Sequence, residues 1–409
     1  MTETLEAGFE IPDHVPPELV RVFDHFNTPE LKQHPLTYYD DIRRSDKPVF
    51  WSPVFGGFWV FTRFEDVRAI LQDHQTFKNE HMSFPGASVW PRKLIPVELD
   101  PPEHKPFKAI EARYLAPAPM QELADAIARD VRDLLVPILE RGECEFFRDF
   151  GQPMPTEVFC RLLGLPMEQA SDFLDWERDL IHGSQHGDSA RLRAEAGGKI
   201  QSYLEELIRA RLEVPADDLI THLTQSTVEG RVLTADEVLD MCYQLFIAGL
   251  DTVTSALGFS FAFLATHPEH RRQLYDKPDL IPNAVEEILR NNSFVLGNRV
   301  AQHDVEIGGV TVKQGEVVLY VTASASRDES LVDGAEKVDF TRPVIKHLAF
   351  GAGPHRCVGS HLARIELHVA LREWFAATAD FELAPGGEIE YRPAGSSGVV
   401  HLPLVVTSK

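Results

Sequence analysis

Phe350-Gly351-Ala352-Gly353-Pro354-His355-Arg356-Cys357-Val358-Gly359 runs straight into a helical pattern, Ser360-His361-Leu362-Ala363-Arg364-Ile365-Glu366-Leu367. Three glycines and a proline in so short a stretch require a tight turn, or a backbone that something bulky approaches closely. A cysteine at the mouth of a helix faces unpaired N–H groups and the positive end of the helix dipole, and both favour thiolate over thiol. A thiolate on an open, glycine-lined surface suits an axial metal ligand. An inert cysteine buried in a turn fits the same residues. The stretch alone leaves both readings open.

The rest of the chain narrows the class. Its 409 residues are enough for two or three ordinary domains or one large one. With 44% apolar and 25% charged residues the composition is that of a soluble globular protein with a sizeable core. A formal charge of −23 argues against nucleic acid or an anionic membrane as general partners. Cys144, Cys160, Cys242 and Cys357 lie far apart without a CxxC pair. That excludes a disulfide scaffold and a zinc-finger framework and fits a reducing cytosol. The acidic start, Met1-Thr2-Glu3-Thr4-Leu5-Glu6-Ala7, has no apolar core and is no signal peptide. No apolar run reaches the roughly 20 residues that span a bilayer, so a cytoplasmic location is expected.

In chain order, residues 1–35 read as a proline-rich arm, and Val49–Phe55 and Phe58–Thr62 as a hairpin turning at Gly56-Gly57. Residues 64–72 read as helix and 79–99 as a long irregular loop of the kind that tends to carry function. From 101 to 290 the pattern is mainly helical: one helix from Pro101-Pro102, then 119–140, 155–165, 167–183 and 190–213. The polar segment 182–188 is a lid candidate. Thr234-Ala235-Asp236-Glu237 is a capping box that opens one long apolar helix running to Thr266, roughly 50 Å at 1.5 Å per residue. Two helices over 269–292, strands over 305–322, a helix over 361–378 and a terminal hairpin or sheet over 381–406 complete the reading. No linker or repeat divides the chain. The expectation is one large domain, mainly α with a minor β portion.

Several residue groups bear chemistry. Ala248-Gly249-Leu250-Asp251-Thr252 puts a glycine, a carboxylate and a hydroxyl into one turn of the long helix. Thr252 can bond the Ala248 carbonyl and open the helix locally. The pair fits either a satisfied Asp with a packing Thr or a proton relay, Asp251 taking protons from solvent and Thr252 passing them on. Glu287 and Arg290 are spaced for a helical pair of little energetic weight, unless Arg342 joins them in a buried bidentate network. His104 and Lys108 share a helix face. With Arg299 and His355 they are cations able to meet the carboxylates of a large cofactor, or ordinary surface residues.

In this order and spacing the pieces resemble the cytochrome P450 superfamily, the thiolate-haem monooxygenases, over essentially the whole chain. The residues that carry the likeness are Phe350–Gly359, Ala248–Thr252, Glu287-x-x-Arg290, Arg342 and Asp100-Pro101-Pro102-Glu103-His104. The resemblance implies the P450 fold, a triangular α-rich prism around a long central helix, and haem b (iron protoporphyrin IX) with Cys357 as thiolate ligand. It implies propionate contacts from His104, Lys108, Arg299 and His355, a structural triad of Glu287, Arg290 and Arg342, and oxygen activation by Asp251 and Thr252. Bacterial relatives usually carry arginine where Lys108 stands, and lysine lacks the planar fork.

Electrons would come from a separate acidic ferredoxin with its NAD(P)H-dependent reductase, because no flavin or nucleotide-binding segment is fused here. The docking face would carry Lys105, Lys108, Arg113, Lys346, Arg356 and Arg364. A monomer acting on a small molecule with O2 is expected. Within the family the chain is most similar to the bacterial camphor-hydroxylase branch, through Gly249-Leu250-Asp251-Thr252-Val253, His14-Val15-Pro16 and Leu402-Pro403-Leu404. The branch's substrate-anchoring tyrosine is absent, and Arg92 falls at its position. By resemblance the pocket draws on Arg92, Gln244, Ile247, Val295, Gly297, Gly395 and Ser396. Several are small or polar, so the pocket is expected to be roomier or less greasy than camphor's. The expected substrate is a compact, mainly apolar, terpenoid-like molecule. The alternatives are an aromatic or other carboxylate paired with Arg92, or a haem-thiolate protein that does not use O2, such as a peroxygenase, isomerase or sensor.

Overall fold

The computed structural model describes residues 9–33, 35–82, 90–182 and 189–409. The first residues of the arm (1–8), part of the expected substrate loop (83–89) and residues 183–188 of the lid candidate lie outside the described residues. The chain forms two compact units. The first comprises Met1–Ser88, Glu286–Cys357 and Glu390–Gly398, and the second Val89–Val285, Val358–Ile389 and Val399–Lys409.

The first unit is built on a sheet with strands in the order Val49–Ser52, Phe58–Phe61, Val317–Val321, Leu296–Ala301, Phe77–Lys78. Val317–Val321 runs parallel to Phe58–Phe61, with Val318 opposite Trp59, and antiparallel to Leu296–Ala301. Phe58-Trp59-Val60-Phe61 and Val317-Val318-Leu319-Tyr320-Val321 are apolar throughout instead of alternating, as strands covered on both faces are. Trp59, Phe61, Val318 and Tyr320 pack with Val67, Ile70 and Leu71 on one side. Phe58, Val60, Leu319 and Val321 pack with Phe23, Tyr39 and Ile42 on the other.

Two expectations need correction in this unit. The hairpin does not turn on Gly56-Gly57 alone. Residues 53–57 all serve as the connection, with a helical turn at Val54–Gly56, and Phe55 joins both glycines at positive φ. The Trp51 ring occupies the space beside Gly57, where a Cβ would lie 2.2 Å from it. The strands expected over 305–322 are preceded by another, Leu296–Ala301, which contains Arg299.

The second unit is helical. Ala124–Arg141 packs along Ser360–Ala377, and Ala170–His182 along Ser189–Glu213. A small sheet of Thr378–Leu383, Pro403–Ser408 and Glu143–Glu145 adjoins them. Phe146, Phe261 and Trp374 form an aromatic core, with centroids 4.2 Å apart for Phe146–Phe261 and 4.8 Å for Phe261–Trp374. The helix expected from Pro101 begins at His104, after a turn, and the one expected over 119–140 is two, Pro117–Glu122 and Ala124–Arg141.

The capping box is present. Glu237 N–H donates to Thr234 Oγ1 at 3.2 Å, and Thr234 N–H to Glu237 Oε2 at 2.8 Å. The Arg231 guanidinium, with these bonds, pulls the Glu237 carboxyl down to about 2. The single long helix is interrupted: Ala235–Gly249 and Asp251–Thr266 meet at Leu250. Among the described residues this is the one stretch long and apolar enough to cross a membrane, and it is mostly buried inside the protein, as a core helix is.

Candidate active site

The cysteine loop belongs to the first unit. Gly351 N–H donates to Leu348 O at 2.8 Å, Arg356 N–H to Gly353 O at 3.1 Å and Cys357 N–H to Phe350 O at 2.9 Å, closing a tight hairpin. Gly351 and Gly353 both have φ of +67. A side chain at Gly353 would also put its Cβ 2.3 Å from Leu71 O. Glycine is required there twice over, by conformation and by space. The hairpin presents Cys357 outward. Cys357 is the exposed cysteine, and Cys144, Cys160 and Cys242 are buried. Burial pushes the Cys144 thiol up to about 12 and Cys160 up to about 11, and raises Cys242 as well. Those three are poor metal ligands at neutral pH. The donor set therefore fits one thiolate ligand at Cys357.

Glu287, Arg290 and Arg342 come together in the same unit. Arg290 donates through Nε and Nη2 to the two oxygens of Glu287, each at 2.8 Å, and Arg342 Nε donates to Oε1 at 2.8 Å. Glu287 is fully buried and Arg290 1% exposed, so this network lies far from the solvated pair that the spacing alone suggests. Arg290 also donates to the carbonyls of Ser326, Ala335 and Lys337 at 2.6–3.0 Å. It thus ties the meander to the helix Ile281–Asn291. Ser326 Oγ in turn accepts from Leu348 N–H at 3.0 Å, at the start of the cysteine loop.

In the second unit Thr252 Oγ1 donates to Ala248 O at 2.9 Å, and Thr254 Oγ1 to Leu250 O at 3.0 Å. Such back-bonding loosens a helix, and it falls where this one is interrupted. Gly249 completes the local geometry, because a Cβ there would lie 2.6 Å from the Phe159 ring. Asp251 is buried and Thr252 half-buried.

The expected cofactor cations divide between the units. Arg299 is buried, and its Nη1 donates to Asn79 Oδ1 at 3.0 Å and Asn298 O at 2.6 Å. Those bonds orient the guanidinium and leave Nε and Nη2 as donors for a carboxylate. His355 is half-buried in the cysteine hairpin. His104 is buried and Lys108 half-buried on the helix His104–Tyr114. Glu111, on the same face, is raised to about 8 by burial, against the pull of Lys108. The basic residues of the expected docking face are Lys346 and Arg356, both exposed, in the first unit. In the second they are Lys105 and Arg113, both exposed, and Arg364, whose Nη1 donates to Ser360 O at 3.2 Å.

Of the pocket positions, Val295 bridges Ser396, and Leu296 N–H donates to Gly395 O at 2.7 Å, so these share one corner of the first unit. Gly297 needs a different reading. It sits opposite Tyr320 in the sheet, and a Cβ would lie 2.1 Å from the Tyr320 hydroxyl. Its small size makes room for that ring, not for a roomier pocket. Gln244 and Ile247 lie about one turn apart on Ala235–Gly249.

Arg92 also requires correction. Its Nη2 donates to Asp240 Oδ1 at 2.7 Å, and its Nε lies 3.2 Å from the same oxygen. Trp90 Nε1 donates to that carboxylate at 2.7 Å, and the guanidinium lies 5.5 Å from the Trp90 ring centroid. Arg92 is thus paired within the protein, and Asp240 competes with any substrate carboxylate for its guanidinium. Asp240 and Trp90 were not singled out by sequence reasoning. The available signal was the i, i+4 spacing of Asp236 and Asp240 on one face of the capped helix.

Comparison with known proteins agrees with this geometry. The Cytochrome P450 family profile matches residues 185–281 and 277–403. A probable cytochrome P450 127A1 of Sinorhizobium fredii is 36% identical over 401 residues, 92% of each chain. The crystal structure of CYP101J2 superposes with a TM-score of 0.88 at 30% identity, covering 97% of this chain and 99% of that one. CYP101C1 gives 0.88 at 31%, covering 97% and 100%. The fold and the thiolate loop define a haem-thiolate protein. The chain belongs to the cytochrome P450 family, and it is a bacterial-type P450 monooxygenase resembling the camphor-hydroxylase branch. Members bind haem b through a cysteine thiolate and act on a small molecule with O2 and a redox partner.

Proposed function

We propose that this monooxygenase hydroxylates a small, mainly apolar, terpenoid-like substrate in the cytoplasm, with electrons from an acidic ferredoxin and its NAD(P)H-dependent reductase. The observation that carries the use of O2 is the interrupted helix, where Thr252 Oγ1 bonds Ala248 O beside the buried Asp251. Cys357 would hold the haem iron, and Arg299, His355, His104 and Lys108 would meet the propionates. Bound there, the haem supplies dioxygen activation and insertion of one oxygen atom into a C–H bond.

The chain's own part is positioning and proton control. With its hydrogen committed to Ala248 O, Thr252 Oγ1 presents lone pairs. It accepts a hydrogen bond from water and so holds a proton at that point. Asp251 takes up protons to replace those consumed. Lys346 and Arg356, with Lys105, Arg113 and Arg364, are basic residues on a protein of net charge −23 and suit an acidic electron donor.

A screen of small terpenoids for the low-to-high spin shift, followed by turnover with NAD(P)H, ferredoxin and reductase, tests the proposal. Hydroxylated product from a ligand that shifts the spin state is expected. Absence of any shift across the panel, or turnover only with added peroxide, would overturn it.

A further inference from the structure

We propose that Arg193, Tyr243 and Gln244 form a carboxylate-binding subsite, so that the substrate is an apolar skeleton carrying one acidic group. This rests on the hydroxylation reading above and names the substrate class more closely. The three side chains stand on two helices of the second unit, Ser189–Glu213 and Ala235–Gly249, which pack on each other. Tyr243 is 1% exposed, and its hydroxyl has no hydrogen-bond partner. Its ring is stacked on Trp90 at 3.9 Å between centroids, so the hydroxyl cannot swing away to find one. Gln244 is 8% exposed, and its Oε1 is also without a partner. Arg193 Nε is buried and unpartnered, and Arg193 makes no ion pair among the described residues. Its charge is close enough to Tyr243 to favour the phenolate, against the burial that raises the phenol.

Buried polar groups are nearly always paired, because leaving one dry costs free energy. Three such exceptions on two packed helices point to a ligand that completes them. Guanidinium and phenol are both donors here, so the complement is an acceptor with negative charge, which a carboxylate is. The glutamine amide adds a third donor when it is turned so that its NH2 group faces the ligand. Arg92 does not compete, because Asp240 already holds it.

Perillate and limonene share one skeleton and differ by a carboxylate in place of a methyl group. Spin-shift titrations of both on the haem-loaded wild type, Tyr243→Phe and Arg193→Gln test the subsite. The wild type is expected to bind perillate at least about tenfold more tightly, about 1.4 kcal/mol. Each variant is expected to lose about tenfold for perillate and to stay within about twofold for limonene. Tyr243→Phe keeps the stack on Trp90 and removes only an unpartnered hydroxyl, so its melting midpoint should hold or rise. A midpoint lowered by several degrees would reveal a protein partner for that hydroxyl and overturn the proposal. Equal wild-type binding of the two ligands, or a ratio unchanged in both variants, overturns the subsite while leaving terpenoid hydroxylation standing. No spin shift with either ligand overturns both readings.

Discussion

Glu366 lies on the Ser360–Ala377 helix, 3% exposed, with Oε2 lacking a hydrogen-bond partner. Burial alone pushes its carboxyl up to about 8. In an unfolded chain a glutamate titrates near 4.3. Between those values the folded protein keeps a proton that the unfolded chain has released, so stability falls as pH rises. The loss begins near the unfolded value and levels off once pH passes about 8. Each pH unit inside the window is worth about 1.4 kcal/mol. Allowing for the onset of titration at its upper edge, the loss between pH 6 and pH 8 is about 2 kcal/mol. Glu366→Gln keeps the shape and the neutral charge and removes the proton. Urea unfolding of the haem-loaded protein at the two pH values should show the wild type losing about 2 kcal/mol more than Glu366→Gln. Glu111 is raised to about 8 as well, but it acts equally in both proteins and cancels. Equal losses in the two proteins would mean that the carboxyl is ionised at pH 6, and the burial argument would fail.

Glu287→Ala takes the counter-charge from the buried Arg290 and the half-buried Arg342. It should cost about 3–5 kcal/mol, read as a lower unfolding midpoint and poor haem retention, and a wild-type midpoint would refute the network's weight. Thr252→Ala removes the hydroxyl that holds the proton at the helix break. Product per NAD(P)H should fall several-fold while hydrogen peroxide rises, and unchanged coupling would remove Thr252 from the relay. Arg92→Gln takes the counter-charge from Asp240, whose carboxyl burial already raises. Amide hydrogen exchange over residues 90–99 should quicken, and wild-type protection there would show that the ion pair does not hold the loop.

Local pattern made much of this molecule legible. The capping box at Thr234 and Glu237, the glycine hairpin before Cys357 and the back-bonding threonine at 252 each depend on neighbours within a few residues. Distant pairings were not legible. Arg92 and Asp240 are 148 positions apart, and no spacing rule connects them. Gly297 reads as pocket space until Tyr320 from the next strand is seen to fill it. Arg299 lies in a strand where Gly297 and Asn298 obscure any alternating apolar pattern. The Glu287 network sits between these cases. Its helix pair is visible, but its burial depends on carbonyls of residues 326–337, which only the folded meander brings near.

The account turns on Cys357 as the thiolate that holds the haem. The reduced carbon-monoxide spectrum of Cys357→His, beside that of the wild type, tests it most directly. The wild type should give the red-shifted band of a thiolate-ligated haem, and the variant should lose that band whether it keeps haem through imidazole or releases it. A Cys357→His protein that retains the red-shifted band would contradict the assignment.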